Sequence, residues 1–295
     1  MAKQAKQIIE FPYDTQRYLW GNGSVADKLR VLSAGYELSK DDVEKLISQL
    51  GTVLNKDGGL PFNLRPGNPS SVKETAEVLM LLKSFKNTHA TVIDKMARFL
   101  ISRQKRDGGF AEALNLDPFI EAKYGGTVGR EWYPVGKSIT WLTGKALEAL
   151  CTVAYEDQSR LRKARDYLIE LQYEDGHWPD FKGHQESDPL GTGNILPALI
   201  AVGVDSENKV YKGGRAALMQ HLKTSIEQNN TQDMVDLVAV CIPKSEHEGQ
   251  IVRKGVELVL SAQSNDGGWC QTGMKKSDPE LSSLLVLAVK KCSPI

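Results

Sequence analysis

The chain has 295 residues, 41% of them apolar, which is enough for a continuous core. Lysine plus arginine and aspartate plus glutamate each total 37, so the net charge is zero. This argues against a nucleic-acid footprint, which needs a basic surplus, and against a strongly polybasic membrane face.

Residues 1–10 are mixed polar and charged and lack the apolar run of a signal peptide or anchor. No stretch approaches the roughly 18 apolar residues of a spanning helix. Cytoplasmic residence is therefore expected, with peripheral membrane contact left open. Cys151, Cys241, Cys270 and Cys292 are widely spaced, without a Cys-x-x-Cys pair, and read as free thiols.

Apolar periodicity predicts helices in two kinds. In chain order, apolar helices are predicted over 24–34, 72–84, 138–154, 190–202, 234–242 and 281–290. Amphipathic ones fall between them, over 41–50, 91–103, 159–171, 215–227 and 248–262, and a short N-terminal helix is a further candidate. Helices apolar on most sides are buried, whereas amphipathic ones face water on one side. Six inner helices ringed by outer ones would make an all-α, α/α toroid. Such a ring is one cooperative core, so residues 1–295 are expected to form a single domain. The longest insertion, 114–136, carries Gly125-Gly126 and Trp132-Tyr133-Pro134 and reads as a lid or pocket wall.

The amphipathic helices end in a repeated turn. Asp57-Gly58-Gly59-Leu60, Asp107-Gly108-Gly109-Phe110, Asp175-Gly176-His177-Trp178 and Asp266-Gly267-Gly268-Trp269 share one pattern. Gln104, Gln172 and Gln263 each stand three residues before their Asp. Glycine stops the helix by taking the left-handed conformation without a Cβ clash. The turn aromatic can fold back over the helix end, and the Gln amide can bond backbone groups freed there. These residues read as structural staples rather than catalytic groups.

The run from Lys163-Ala164 through Tyr167-Leu168 and Gln172 to Asp175-Gly176-His177-Trp178 resembles the QW motif of squalene-hopene and oxidosqualene cyclases. The segment from Lys254-Gly255 through Gln263 to Trp269 matches too, and 95–110 is a weaker copy. The resemblance spans roughly residues 20 to 292. It implies the terpenoid-cyclase toroid, a fold shared with protein prenyltransferase β subunits, without specifying a reaction.

In such cyclases a DxDD-T-A sequence opens an inner helix, and its middle Asp protonates an alkene or epoxide. No DxDD occurs here. The similar segment Ser71-Val72-Lys73-Glu74-Thr75-Ala76 puts Lys73 at the acid's place. An ammonium is far too weak an acid for an alkene, and Glu74 is either a substrate contact or half of a paired or solvated charge. On the last inner helix, Asp278-Pro279-Glu280 aligns Glu280 with the proton donor and Asp278 with the motif's first Asp. Both also suit a helix cap and first turn, where the helix dipole favours the anion. Asp188-Pro189 opens another inner helix in the same way. Trp141 occupies the analogous cavity-facing position on its helix, and Trp132 and Tyr133 lead into it. Such rings can stabilise carbocations, line an isoprenoid site or fill the core.

Competing chemistries find little support. Prenyltransferase zinc needs a nearby Asp and Cys, and no Asp-x-Cys is present. The five histidines have no metal-ligand spacing. Asp41-Asp42-Val43-Glu44 reads as a helix start, and Asp233-x-x-Asp236 lacks a second acidic motif. Gly58-Gly59 and Gly213-Gly214 join no strand to a helix.

The leading reading is an isoprenoid-handling, terpene-cyclase-like enzyme acting on an apolar polyprenyl or terpenoid substrate without cofactor or metal. Glu280 assisted by Asp278 is the expected acid. Trp141, Trp132, Tyr133, Glu74 and Asp188 are the expected substrate contacts. The alternatives are a non-catalytic toroid that binds an isoprenoid or a protein, and a β-like subunit of a prenyltransferase.

Overall fold

A computed structural model describes residues 9–126, 128 and 130–292. The described residues are almost entirely helical. In chain order the helices are α1 (Thr15–Asn22), α2 (Val25–Ser33), α3 (Lys40–Val53), α4 (Val72–Leu81), α5 (Ala90–Ser102), α6 (Asp117–Tyr124), α7 (Thr140–Thr152), α8 (Gln158–Glu170), α9 (Pro189–Ala201), α10 (Lys209–Glu227), α11 (Leu237–Val240), α12 (Glu246–Ser261) and α13 (Pro279–Cys292). Two minimal antiparallel ribbons accompany them: β1 (Leu60–Pro61) with β2 (Ser70–Ser71), and β3 (Trp178–Pro179) with β4 (Ser187–Asp188). No helix among the described residues is long and apolar enough to cross a membrane.

Two predicted elements differ. The apolar run at 234–242 forms a 3-10 turn over Gln232–Asp236 and then the single α-turn α11. Pro243 follows directly, and Asp233 is tied sideways, accepting from Ser225 Oγ at 2.6 Å and pairing with His221 Nε2 at 3.1 Å. The 114–136 insertion contains α6, which starts at Asp117 with proline in its first turn.

The residues group into two compact units, divided between Leu46 and Ile47 and again between Ala217 and Leu218. In the 47–217 unit, α7 packs against both α4 and α9, with α5 on α4 and α8 on α7. Burial follows the predicted alternation. α7 buries Thr140, Trp141, Leu142, Thr143, Gly144, Ala146, Leu147, Ala149 and Leu150 on all sides. α8 buries only the stripe Leu161, Ala164, Tyr167 and Leu168. Gly144 sets the α7–α9 spacing, because a Cβ there would stand 2.5 Å from Asn194 O. In the other unit, α13 packs against α1, α2, α11 and α12. Asp27, Arg30 and Ser283 form a buried network there, with Ser283 Oγ donating to Asp27 Oδ1 at 2.7 Å and Arg30 Nη1 at 2.9 Å from the same oxygen.

The repeated turn is one hydrogen-bonded module built several times. Gln104 Nε2 donates to Gly108 O (3.0 Å) and to Arg160 O at the start of α8 (2.9 Å). Gln172 Nε2 donates to Gly176 O (2.9 Å) and to Val210 O at the start of α10 (2.8 Å). Gln263 Nε2 reaches Gly267 O (2.9 Å), Thr15 Oγ1 (2.7 Å) and Tyr13 O (3.2 Å), and Gln263 Oε1 accepts from Tyr13 N (2.9 Å). Each Gln thus joins its own turn to the entry of another helix. Each Asp joins the turn to a serine just before an apolar helix. Ser70, Ser138 and Ser277 donate to Asp57, Asp107 and Asp266 at 2.6, 2.8 and 2.8 Å, and Ser187 donates to Asp175 at 2.5 Å. Trp178 Nε1 and Trp269 Nε1 donate back to Leu168 O (2.6 Å) and Val259 O (2.7 Å), covering the helix ends they follow. Gly108 has φ +96°, and a Cβ on it would meet Lys163 O at 2.3 Å.

Replacing Gln263 with alanine removes the side-chain partner of the turn carbonyl, of Tyr13 N and of Thr15 Oγ1. The expected loss is about 2–4 kcal/mol of stability, read as a lower urea midpoint at unchanged slope.

Candidate functional site

In the 47–217 unit the apolar helices start at the turns, and a cavity of about 460 Å³ lies at these starts. Lys73 comes from the first turn of α4, Trp141 from that of α7, and Asp188, Leu190, Gly191 and Asn194 from the start of α9. Tyr124 at the end of α6 and the following Trp132 and Tyr133 form a wall, and Asp180, His184, Glu186 and Ser187 come from the hairpin between β3 and β4.

The wall is a contiguous aromatic cluster. Tyr124 and Trp132 meet edge to face at 5.3 Å, Trp132 stacks on Tyr133 at 5.3 Å, and Tyr133 meets Trp141 edge to face at 4.9 Å. Trp141 Nε1 donates to Trp132 O at 3.1 Å, which pins the indole to the insertion. Trp141 is buried, whereas Trp132 and Leu190 are 38% and 47% exposed and mark the solvent edge.

Behind the wall, Glu112 anchors α4. Its carboxylate accepts from Ser71 Oγ (2.8 Å), Val72 N (2.8 Å), Lys73 N (3.1 Å) and Tyr133 Oη (3.0 Å). A carboxyl at a helix N-terminus satisfies amides that have no partner within the helix. Complete burial still pushes the Glu112 acid up against the pull of those donors. Burial and the adjoining Glu112 likewise hold the Tyr133 phenol well above its ordinary range. Glu112 therefore couples the first turn of α4 to the aromatic wall.

Lys73 and Glu74 are paired rather than solvated. Lys73 Nζ lies 3.9 Å from Glu74 Oε1 and 3.7 Å from Glu77 Oε1, with its side chain 15% exposed. Glu74 is buried; its Oε1 accepts from Asn63 N at 3.3 Å and its Oε2 has no hydrogen-bond partner. Only Lys73 of the two lines the cavity.

Asp188 caps α9, accepting from Leu190 N (3.0 Å) on one oxygen and from Gly191 N (2.9 Å) on the other. Asp180 is 4% exposed, and its Oδ1 has no hydrogen-bond partner. Its Oδ2 lies 3.5 Å from His184 Nδ1. Burial first, and then the Asp188 carboxylate beside it, raise the Asp180 acid from 3.8 to about 7.

Trp132, Tyr133, Trp141 and Asp188 are therefore brought together around one cavity. Asp278 and Glu280 belong to the other unit. There Asp278 caps α13, accepting from Leu281 N at 2.7 Å and from Gln271 Nε2 at 3.1 Å, and Glu280 is half-buried in the first turn. Sequence reasoning missed Asp180, His184 and Tyr124. A signal for Asp180 was present: it follows Trp178 by two residues, as Glu112 follows Phe110.

No protein-family model matches the chain, and no curated protein matches it. Solved structures do. The type II terpene cyclase MstE from Scytonema superposes with a TM-score of 0.64 at 15% identity, over 92% of this chain and 86% of that one. A MstE variant in complex with its substrate, geranylgeranyl dihydroxybenzoate, gives 0.63 at 15% identity, over 92% and 87%. ent-Copalyl diphosphate synthase from Streptomyces platensis gives 0.60 at 20% identity, over 91% of this chain and 50% of that one, so this chain spans half its length. The chain thus has the fold of the type II terpene cyclases.

Two outcomes follow from these environments. Glu112→Ala strips the α4 amides and Tyr133 of their acceptor and is expected to cost about 2–4 kcal/mol in chemical denaturation. Asp180 binds its proton more tightly folded than unfolded, so its contribution to stability is present below pH 3.8 and is lost as pH rises to about 7. Asp180→Asn should accordingly flatten the stability profile between those values, measured by denaturant titration at successive pH.

Proposed function

We propose that the chain is an isoprenoid-handling enzyme of the terpene-cyclase type, which holds an apolar polyprenyl or terpenoid chain in the cavity of the 47–217 unit and cyclises it by protonation. The observation that carries this reading is the joint presence of an aromatic wall and a buried carboxyl, Asp180, around one 460 Å³ space. That volume falls within the range of about 300–1,000 Å³ usual for small-molecule sites. The similarity to MstE, which binds a geranylgeranyl substrate, supports the choice of ligand class.

The wall suits the chemistry. Protonation of an alkene creates a carbocation, and the faces of Trp132, Trp141 and Tyr124 offer it cation–π attraction without a nucleophile. Trp141 is fixed through its N–H to Trp132 O, so the rings are oriented before substrate arrives. Asp188 and Glu74 serve as polar boundaries, Asp188 at the cavity and Glu74 behind Lys73. Glu280 with Asp278 stands as the alternative acid, its carboxylates placed at the start of α13.

A second reading rests on Lys73. An ammonium at the place of the family's acid, inside the cavity, favours a protein that binds an isoprenoid without transforming it.

The test is incubation of the purified protein with squalene, farnesol, geranylgeraniol and the diphosphates of the two alcohols, with product analysis and titration of tryptophan fluorescence in parallel. The cyclase reading expects a cyclic product isomeric with its substrate. Trp141→Ala should weaken binding by about tenfold or more, through lost apolar contact and ring stacking. Quenching without product would favour the binding reading, and neither signal across the panel would overturn both.

A further inference from the structure

The repeat supplies an internal comparison. Glu112 and Asp180 occupy the same place in successive modules, two residues after the turn aromatics Phe110 and Trp178. Both are buried acids beside the start of an apolar helix. Their partners differ. At Glu112 the side chain satisfies α4, accepting from Val72 N and Lys73 N. At Asp180 the backbone performs that service for α7: Thr140 N donates to Asp180 O at 2.8 Å, and Thr140 Oγ1 donates to Pro179 O at 2.5 Å. The Asp180 carboxyl is thereby released from capping and faces the cavity, with Oδ1 unpartnered.

The hairpin then provides it with a second carboxyl. Trp178 pairs with Asp188 and Pro179 with Ser187, so the chain leaving the turn and the chain entering α9 run side by side. Asp188 thereby stands beside Asp180 at the same cavity. Both Asp188 oxygens already accept α9 amides, whereas Asp180 Oδ1 accepts none. A neighbouring carboxylate favours a retained proton on a buried acid, and Asp180 is the member of the pair without amide donors.

We propose that Asp180, paired with Asp188, is the proton-donating acid of this cavity, in place of the motif acid that Lys73 has replaced. The inference rests on the cyclase reading and names its catalytic residue. The Asp180 O–H bond breaks, and its proton joins a terminal alkene carbon through the alkene's π pair. Asp180 is left as the carboxylate and a tertiary cation remains on the chain. Internal alkenes close the rings onto that cation, and a final C–H proton leaves to solvent water. Asp180 is reloaded from solvent by way of His184, whose Nδ1 lies 3.5 Å away and whose side chain is 26% exposed. Atoms and electrons balance as an isomerisation, with no oxidant or reductant. The charged and titratable groups around Asp180 are Asp188, His184 and Glu186 on its own hairpin, Glu131 on the insertion and, across the cavity, Lys73 on α4. The elevated acid described above accords with this arrangement.

The test begins with the protein alone, labelled with carbon-13 at the aspartate carboxyls. The resonance removed by Asp180→Asn should titrate near neutrality, and in Asp188→Asn it should move to lower pH. An Asp180 resonance titrating in the ordinary aspartate range, or one indifferent to Asp188→Asn, would overturn the proposal without touching the isoprenoid reading. In turnover with whichever substrate of the panel reacts, Asp180→Asn should lower kcat by about 10²- to 10⁴-fold. Substrate quenching of tryptophan should persist in that variant, and Asp180→Glu should restore part of the rate. Activity should fall as pH rises above neutrality. Full activity in Asp180→Asn with loss in Glu280→Gln would move the acid to α13. Failure of the wild-type protein to bind or convert any isoprenoid would remove the cyclase reading itself, and the donor role with it, while the carbon-13 titration still decides whether the pair shares a proton.

Discussion

The structure depends on one side-chain amide used repeatedly. A helix that stops at Asp-Gly-Gly leaves carbonyls without intrahelical partners. Gln104, Gln172 and Gln263 each donate to the turn glycine's carbonyl and also to a carbonyl or hydroxyl at the entry of another helix, which ties the two together. The neighbouring Asp closes the module from the other side by binding a serine just before an apolar helix. Because both bonds are made at the turn, the starts of α4, α7 and α9 are held together there, and the cavity lies among them.

Helix starts carry partial positive charge, which is unfavourable for a cationic intermediate. The acids of the site answer this in two ways. Glu112 takes the amides of α4 and Asp188 those of α9, so the exposed donors are satisfied within the protein. The cavity then presents the aromatic wall opposite the polar hairpin, where the Asp180 carboxyl has no donor on Oδ1. Lys73 is drawn to Glu74 and Glu77, which moderates a charge that would otherwise oppose a carbocation. Under the proposal, a lysine at the motif's acid position is compatible with acid chemistry because the acid comes from the turn two residues past Trp178.

Much of this was legible in the sequence. The alternation of apolar and amphipathic runs located α2, α4, α5, α7, α8, α9, α12 and α13, because burial on one side or on all sides leaves a period that needs no tertiary information. The Gln and Asp-Gly spacing announced the staples. Trp132, Tyr133 and Trp141, which the insertion and helix position mark as either pocket lining or core, stand at the cavity, with Tyr133 and Trp141 buried. Helix α6 was hidden because it is only eight residues long, too short for a helical period to stand out beside the glycines that follow it. The apolar run at 234–242 overstated its helix, because Asp233 is tied to Ser225 and His221 on α10, outside the run, and such ties leave no periodic trace. Asp180 was missed because its significance lies in what its backbone does. Only when Thr140 is seen to use the Asp180 and Pro179 carbonyls does the carboxyl become available.

The most direct measurement is a crystal structure of the protein soaked with a linear isoprenoid such as geranylgeraniol. The account predicts a hydrocarbon chain along Tyr124, Trp132 and Trp141, with its terminal alkene about 3–3.5 Å from the Asp180 carboxyl, a reacting geometry. A chain bound elsewhere, or one whose terminal alkene approaches Glu280 instead, would contradict it.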